Sequence, residues 1–332
     1  MFLGVTVLNV VCRIVFNHRY DINDAEFRDI ILYNSLLTQG FSGGDPIAFL
    51  PWLRFFPFKS IKLIREYIRI RDPIIDRKLQ EHRDTFDPNN LRDLTDALIQ
   101  LSSEAVTLEK ANLKHLSDDH LTMVINDIFT AGTETTVTTL RWATVYLLRW
   151  PDEQQKLYDE LIGVIGEDRY PALADRGELD YLEATIRETL RLSSLLPLGL
   201  PHKCISDSSI NEIDIPKNTQ VLFNTWQMHR DPQFWDDAEV FNPGRWLSPE
   251  AKLIAGANLS YLPFSAGRRV CLGESLAKTE LFIILSRLIR DFIIKPESGK
   301  PVPGMDATIG ITLAPFDFKV VFEARPNSLS LD

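Results

Sequence analysis

The chain has 332 residues, 45% of them hydrophobic, which is enough to bury a large core and argues against intrinsic disorder. A formal charge of -10 and a pI near 5.2 argue against a polyanionic partner, because phosphate binding needs dense Lys and Arg; no nucleic-acid ligand is expected. Three cysteines, Cys12, Cys204 and Cys271, make neither an even disulfide set nor a C-x-x-C pair, so stapled scaffolds and zinc sites are not indicated and a reducing compartment fits best.

Residues 2–16 are apolar on most sides and predict a buried helix; the apolar run stops at Arg13, too short to span a bilayer, and lacks the basic start of a signal peptide. Asp21, Asn23 and Asp24 offer caps for a second helix reaching about Gln39. Residues 40–46 read as a loop, and residues 49–58, FLPWLRFFPF, concentrate aromatics broken by Pro51 and Pro57. That cluster suits the lining of an apolar pocket and, equally, plain core packing. Residues 59–84 predict a highly charged amphipathic helix with a solvated face.

Ser117, Asp118 and Asp119 cap a helix whose pattern runs to Pro151, about 50 Å at 1.5 Å per residue, the longest expected in the chain. Its middle, Ala131-Gly132-Thr133-Glu134-Thr135-Thr136, suits a helix poorly: Gly weakens it and the Thr hydroxyls compete for backbone hydrogen bonds. Such a weak point often marks a site. A Thr-rich helix bonding back to its own carbonyls is the plainer alternative.

Residues 151–165 predict a helix opened by Pro151-Asp152-Glu153, and a further helix begins at Asp180. On it Glu188 and Arg191 stand at i and i+3, a pairing also ordinary on surfaces. Residues 195–200, broken by Pro197, read as an edge strand passing a ligand, with His202 directly after. Short strands are expected around Pro216-Lys217-Asn218, and coil over residues 234–265. Residues 308–322 predict a hairpin turning at Pro315, with Ile311, Thr312 and Leu313 as ligand contacts.

The coil leads into residues 264–274, FSAGRRVCLGE. Gly267 and Gly273 leave the backbone free to turn around Cys271, Arg268 and Arg269 place positive charge beside it, and a helix follows whose N-terminal amides favour negative charge. A thiolate is a soft, strong metal ligand, and the arrangement suits one axial ligand. The alternative is a structural cysteine in a glycine turn.

Phe264, Gly267, Arg269, Cys271 and Gly273 fill the pattern Phe-x-x-Gly-x-Arg-x-Cys-x-Gly, which resembles the signature of the cytochrome P450 haem-thiolate monooxygenases. The resemblance implies a mainly α fold with small β-sheets, a single domain over residues 1–332 without the family's N-terminal third. Absent with that third are the membrane anchor and the first helices and strands. It implies haem as cofactor, with Cys271 as the iron ligand and Arg269, His202, Phe264, Gly267 and Gly132 as cofactor-binding residues, Arg269 and His202 toward the propionates. The hexad around Gly132 resembles the family's oxygen-binding motif and makes Glu134 and Thr135 the catalytic pair that manages protons. Glu188, Arg191 and Arg245, the last in a Phe-x-Pro-x-Arg segment, become a buried structural triad.

The implied reaction inserts one oxygen atom of O2 into a hydrophobic steroid, lipid or xenobiotic, with electrons from an NADPH-cytochrome P450 reductase at the endoplasmic reticulum membrane. The chain itself carries no Gly-x-Gly-x-x-Gly fingerprint for a dinucleotide. The motifs look most like the family's animal microsomal group, which includes steroid 17-alpha and aryl-hydrocarbon monooxygenases. Two alternatives stand beside this reading: a haem-containing isomerase or dehydratase, and a non-enzymatic fragment unable to hold haem.

Overall fold

The helical periodicities become helices at nearly the expected bounds in a computed structural model, which describes residues 2–40, 52, 55–56, 58–107, 117–254, 258–310 and 312–328. The chain forms two compact units, residues 1–137 and 138–332.

The first unit holds α1 (Phe2–Phe16), α2 (Ala25–Gly40), α3 (Lys59–Asp84), α4 (Leu94–Thr107) and the N-terminal part of α5 (Asp118–Arg149). Asp24 caps α2 by accepting the Glu26 amide at 2.9 Å, as its side-chain type predicts. One face of each helix enters a common core of Val11, Val15, Phe16, Phe27, Ile30, Ile75, Leu121 and Phe129, with the Phe16 and Phe129 rings 5.2 Å apart. Each such side chain contributes about 1.5–3 kcal/mol by leaving water. The charged face of α3 is solvated as expected, while Tyr67, Ile74, Ile75 and Leu79 bury the other. Tyr67 donates to Asn126 of α5 and accepts from Arg71, so the buried phenol is fully used.

Helix α4 was not foreseen. Asp93 caps it by accepting the Asp96 amide at 2.9 Å, and Thr95 donates to the Val15 carbonyl of α1 at 2.7 Å. Its apolar stripe is short, and it gains its partner only when α1 folds beside it.

The aromatic segment is a correction. Trp52, Phe55, Phe56 and Phe58 are exposed, Phe55 at 77%, so its described residues neither pack in the core nor line a closed pocket. The expected loop over residues 41–46 and positions 49–51, 53, 54 and 57 of that segment lie outside the described residues. No helix among the described residues is long and apolar enough to cross a membrane.

The second unit continues α5 and adds α6 (Pro151–Ile165), α7 (Asp180–Ser193), the strands β1 (His202–Lys203), β2 (Ser208–Ile210), β3 (Ile213–Ile215) and β4 (Gln220–Val221), and the short α8 (Thr225–Met228). After a long coil come α9 (Glu274–Asp291), β5 (Phe292–Pro296), β6 (Ala307–Ile309), β7 (Leu313–Pro315) and β8 (Val320–Ala324). The strands pair antiparallel as β1 with β4, β2 with β3, β5 with β8, and β6 with β7. Helix α7 is buried along most of its length. Its first amides are met by Glu160 of α6, which accepts from Tyr181 at 2.6 Å and Leu182 at 2.9 Å.

Two expectations fail here. Residues 195–200 make an irregular turn and no strand: Gly199 adopts φ +61, Pro197 has no N–H, and the Leu195, Leu196 and Pro197 carbonyls accept from Leu313, Thr225 and Trp226. The two strands near residue 310 pair through Ile309 and Leu313, with Pro315 ending β7 opposite Ala307, where a missing N–H costs little; residues 320–324 pair with β5 instead. Of its expected ligand contacts, Thr312 is buried, Leu313 is half-buried, and Ile311 lies outside the described residues.

Candidate functional site

Cys271 stands at the end of an exposed loop, residues 265–273, immediately before α9. Its backbone amide donates to the Phe264 carbonyl at 2.9 Å, closing the loop on itself. Gly267 has φ +72 and open space around it, a conformation in which any side chain is strained. Gly273 has an ordinary φ of -86, and an added Cβ would meet Cys271 Sγ at 3.9 Å, an ordinary contact. The tight turn thus needs glycine at 267, as expected, and not at 273, where the expectation is corrected. Arg268 and Arg269 are exposed on the same loop. Lys278 pairs with Glu274 at 2.6 Å and lies 5.4 Å from the Phe264 ring, so Phe264 is held between the loop and α9.

The donor set fits a haem. A single exposed thiol presented by a self-closed loop at a helix start, with arginines beside it, meets the needs of one axial ligand and of propionate partners. His202, half-buried on β1, packs its ring edge-on against Phe223 at 5.2 Å.

Beneath this loop the unit is organised around Glu188, which is wholly buried. Arg191 clamps it through Nε at 2.9 Å and Nη2 at 2.8 Å, and Arg245 donates from Nε at 3.0 Å. The expected triad is therefore real and internal. Arg191 spends its other donor on the carbonyls of His229 at 2.7 Å and Ala238 at 2.8 Å, and Arg245 binds the Asp236 carbonyl at 2.8 Å. Two partners of Glu188 were not foreseen: the Asn242 amide at 3.0 Å and Trp246 Nε1 at 2.9 Å. A buried indole needs an acceptor, so a Trp directly after Arg245 was the available signal.

His229 was also missed. It is 1% exposed, and burial followed by the charges of Arg191 and Arg230 pushes its pKa down to about 4. It follows the four-residue α8, a helix too short to show a periodicity that would mark its end in the sequence.

On α5, the expected weak point does not interrupt the helix, which runs unbroken through residues 131–136. Thr135 Oγ1 donates to the Ala131 carbonyl at 2.6 Å, the back-bonding of the plainer alternative. Glu134 is half-buried beside it. The face of Gly132 that lacks a side chain meets Val11 of α1 at 3.4 Å, so this glycine lets the two helices approach. Thr130, just before the hexad, and Thr133 within it bury hydroxyls that have no hydrogen-bond partner among the described residues, a costly arrangement.

Comparison with known proteins agrees with these features. The chain is 41% identical over 321 residues to a steroid 17-alpha-hydroxylase/17,20 lyase of Ictalurus punctatus, covering 96% of this chain and 62% of that protein. It is likewise 41% identical to the enzyme of that description from Gallus gallus, covering 96% of this chain and 63% of that protein. The chain therefore spans a little under two thirds of the length of the curated relatives it matches. A zebra fish cytochrome P450 structure with progesterone superposes with a TM-score of 0.85 at 35% identity, covering 97% of this chain and 70% of that one. The cytochrome P450 family profile matches residues 1–322, and with relatives this similar the chain belongs to the cytochrome P450 family.

Proposed function

We propose that this chain is the larger part of a haem-thiolate monooxygenase that inserts one oxygen atom of O2 into a steroid. The observation that carries the reading is Cys271, an exposed thiol on a loop that closes through Phe264 and begins α9. Cys271 would hold the haem iron, and Arg269 and His202 would bind the propionates. Phe264 and Gly267 set the loop's shape. A thiolate-ligated haem, when bound, supplies the activation of O2 that C–H oxygenation requires.

The chain's own residues handle the proton. Thr135 keeps its proton at Oγ1, shared with the Ala131 carbonyl, and can release that bond to donate toward substrate oxygen. Glu134 is the adjacent carboxylate that resupplies it. Steroids are favoured as substrate because the relatives carry names of steroid hydroxylases and a similar structure was determined with progesterone.

Electrons come from a separate NADPH-dependent reductase. A place at the endoplasmic reticulum membrane is supported by the exposed Trp52, Phe55, Phe56 and Phe58 followed by exposed Lys59, Lys62 and Arg65, apolar and basic groups side by side as an interfacial contact needs.

The test is a carbon monoxide difference spectrum of the reduced, haem-loaded chain, wild type and Cys271→Ser. The wild type gives the thiolate band and the variant loses it. A variant with the wild-type spectrum would remove Cys271 from the iron and the reading with it.

A further inference from the structure

Residues 265–273 are exposed throughout, so the loop that carries Cys271 has little packing to hold it in one shape. Its downstream end is fixed by α9. Its upstream end runs through Ser260, Tyr261 and Leu262: the Tyr261 ring packs against Trp246 at 4.7 Å, and the residues on either side of it are bonded to the segment around His229. The Ser260 hydroxyl donates to the Met228 carbonyl, and the Leu262 amide donates to His229 Nε2 at 3.1 Å. Leu262 in turn accepts the Ser265 amide at 3.2 Å, and Phe264 accepts the Cys271 amide at 2.9 Å.

The ring's protonation follows from its neighbours. Because Leu262 offers an N–H, Nε2 must be bare, and the proton resides on Nδ1, which faces Ser194 Oγ at 3.1 Å. Ser194 Oγ also accepts from Arg230 Nη1 at 2.9 Å and sends its own proton to the Arg191 carbonyl at 2.9 Å. That hydroxyl is therefore spent and is no nucleophile. The backbone of the same histidine is gripped independently, its carbonyl accepting from Arg191 Nη1 at 2.7 Å. A second proton on the ring would set N–H against N–H at Leu262, so the contact exists for the neutral tautomer alone.

We propose that His229 is a positioning residue for the Cys271 loop, its neutral ring tying the loop's entry at Leu262 to the buried Glu188–Arg191 pair. The line of bonds runs from Glu188 through Arg191 and His229 to Leu262, and from there through the loop's own closures to Cys271. Its consequence for haem rests on Cys271 being the iron ligand; the tether itself does not.

The experiment separates the two. Amide hydrogen exchange is measured on the haem-free chain as wild type, His229→Asn and His229→Gln. Glutamine carries an oxygen to the place of Nε2 and can accept from Leu262, whereas asparagine is one methylene shorter and cannot reach it. In His229→Asn the segment over residues 261–271 exchanges about tenfold faster or more, the scale of one lost buried hydrogen bond, while α6 and the middle of α9 keep their rates. His229→Gln recovers most of the protection. Unchanged exchange in His229→Asn, or equal acceleration in both variants, overturns the proposal. Should His229→Asn fail to fold, Ser194→Ala decides: it strips the acceptor from Nδ1 and raises exchange at the loop several-fold, and an unmoved loop overturns the tether.

In haem-loaded protein of equal haem content, His229→Asn converts part of the carbon monoxide band from the thiolate form to a non-thiolate form, and His229→Gln does not. A wild type with no thiolate band would sink the assignment of Cys271 while leaving the exchange data to judge His229.

Discussion

Trp246 Nε1 donates to Glu188 Oε2 at 2.9 Å, adding a neutral donor to a carboxylate that two arginines already hold. Oε1, which accepts from Arg191 Nη2 and Arg245 Nε, takes the Asn242 amide at 3.0 Å as a third donor. Every acceptor site of this buried group is occupied, which is the condition under which an internal charge cluster is tolerated. Glu188→Ala leaves the Arg191 guanidinium buried and unpaired, and should cost about 3–5 kcal/mol, enough to remove most soluble folded protein. Trp246→Phe keeps the charges paired and should cost about 1–3 kcal/mol, yielding folded protein of lowered melting temperature. Denaturant titration compares them, and a Glu188→Ala chain as stable as wild type would show the cluster to be dispensable.

The three thiols should divide by burial. Cys12 is fully buried in α1, and burial pushes its thiol up to about 12, whereas Cys271 is exposed and Cys204 is half-buried. A disulfide reagent at pH 8 should label Cys271 quickly in the folded, haem-free chain and reach Cys12 only after denaturation. Haem should then protect Cys271 selectively. Rapid labelling of Cys12 in the native chain would contradict the placement of α1 in the core.

Thr135→Ala should uncouple the reaction at little cost in stability. Its hydroxyl bonds back to its own helix and is half-buried, so the melting temperature should move by no more than a surface substitution does. Product per NADPH should fall by about 10²- to 10⁴-fold, the range of general-acid contributions, with hydrogen peroxide appearing in its place. Thr135→Ser keeps the donor and should keep the coupling. Equal coupling in all three would take Thr135 out of proton delivery.

Two histidines give opposite pH dependences. His229 is held neutral, with a folded pKa of about 4 against about 6.5 unfolded, so its contribution is complete above pH 6.5 and is lost as pH falls toward 4, a change of about 3 kcal/mol. His82 faces the Lys78 carbonyl at 2.7 Å and Asp93 at 2.8 Å; although burial opposes the charge, these acceptors raise its pKa. Its contribution is complete below about pH 6.5 and is lost as pH rises through the folded value. Denaturant melts of wild type and His82→Gln should therefore differ most in acid and converge as pH rises. A gap that widened with pH would reverse the assigned sign.

What the sequence by itself determined were features that are local along the chain. Helical periodicity and caps placed α1, α2, α3, α5, α6, α7 and α9, because an apolar stripe and an Asp or Pro at the start act within a few residues. The Cys271 loop was legible for the same reason: its residues are contiguous and their spacing is the motif. Tertiary structure alone decided the rest. Whether Glu188 paired on the surface or in the interior depended on carbonyls at 229, 236 and 238, which no local pattern brings to it. The strand partner of residues 320–324 was β5, distant in sequence, and Pro315 was therefore free to end a strand where a turn was expected. The exposure of Phe55 and the burial of His229 run against residue type, because burial is set by what packs from elsewhere in the chain and not by the hydropathy of the residue itself.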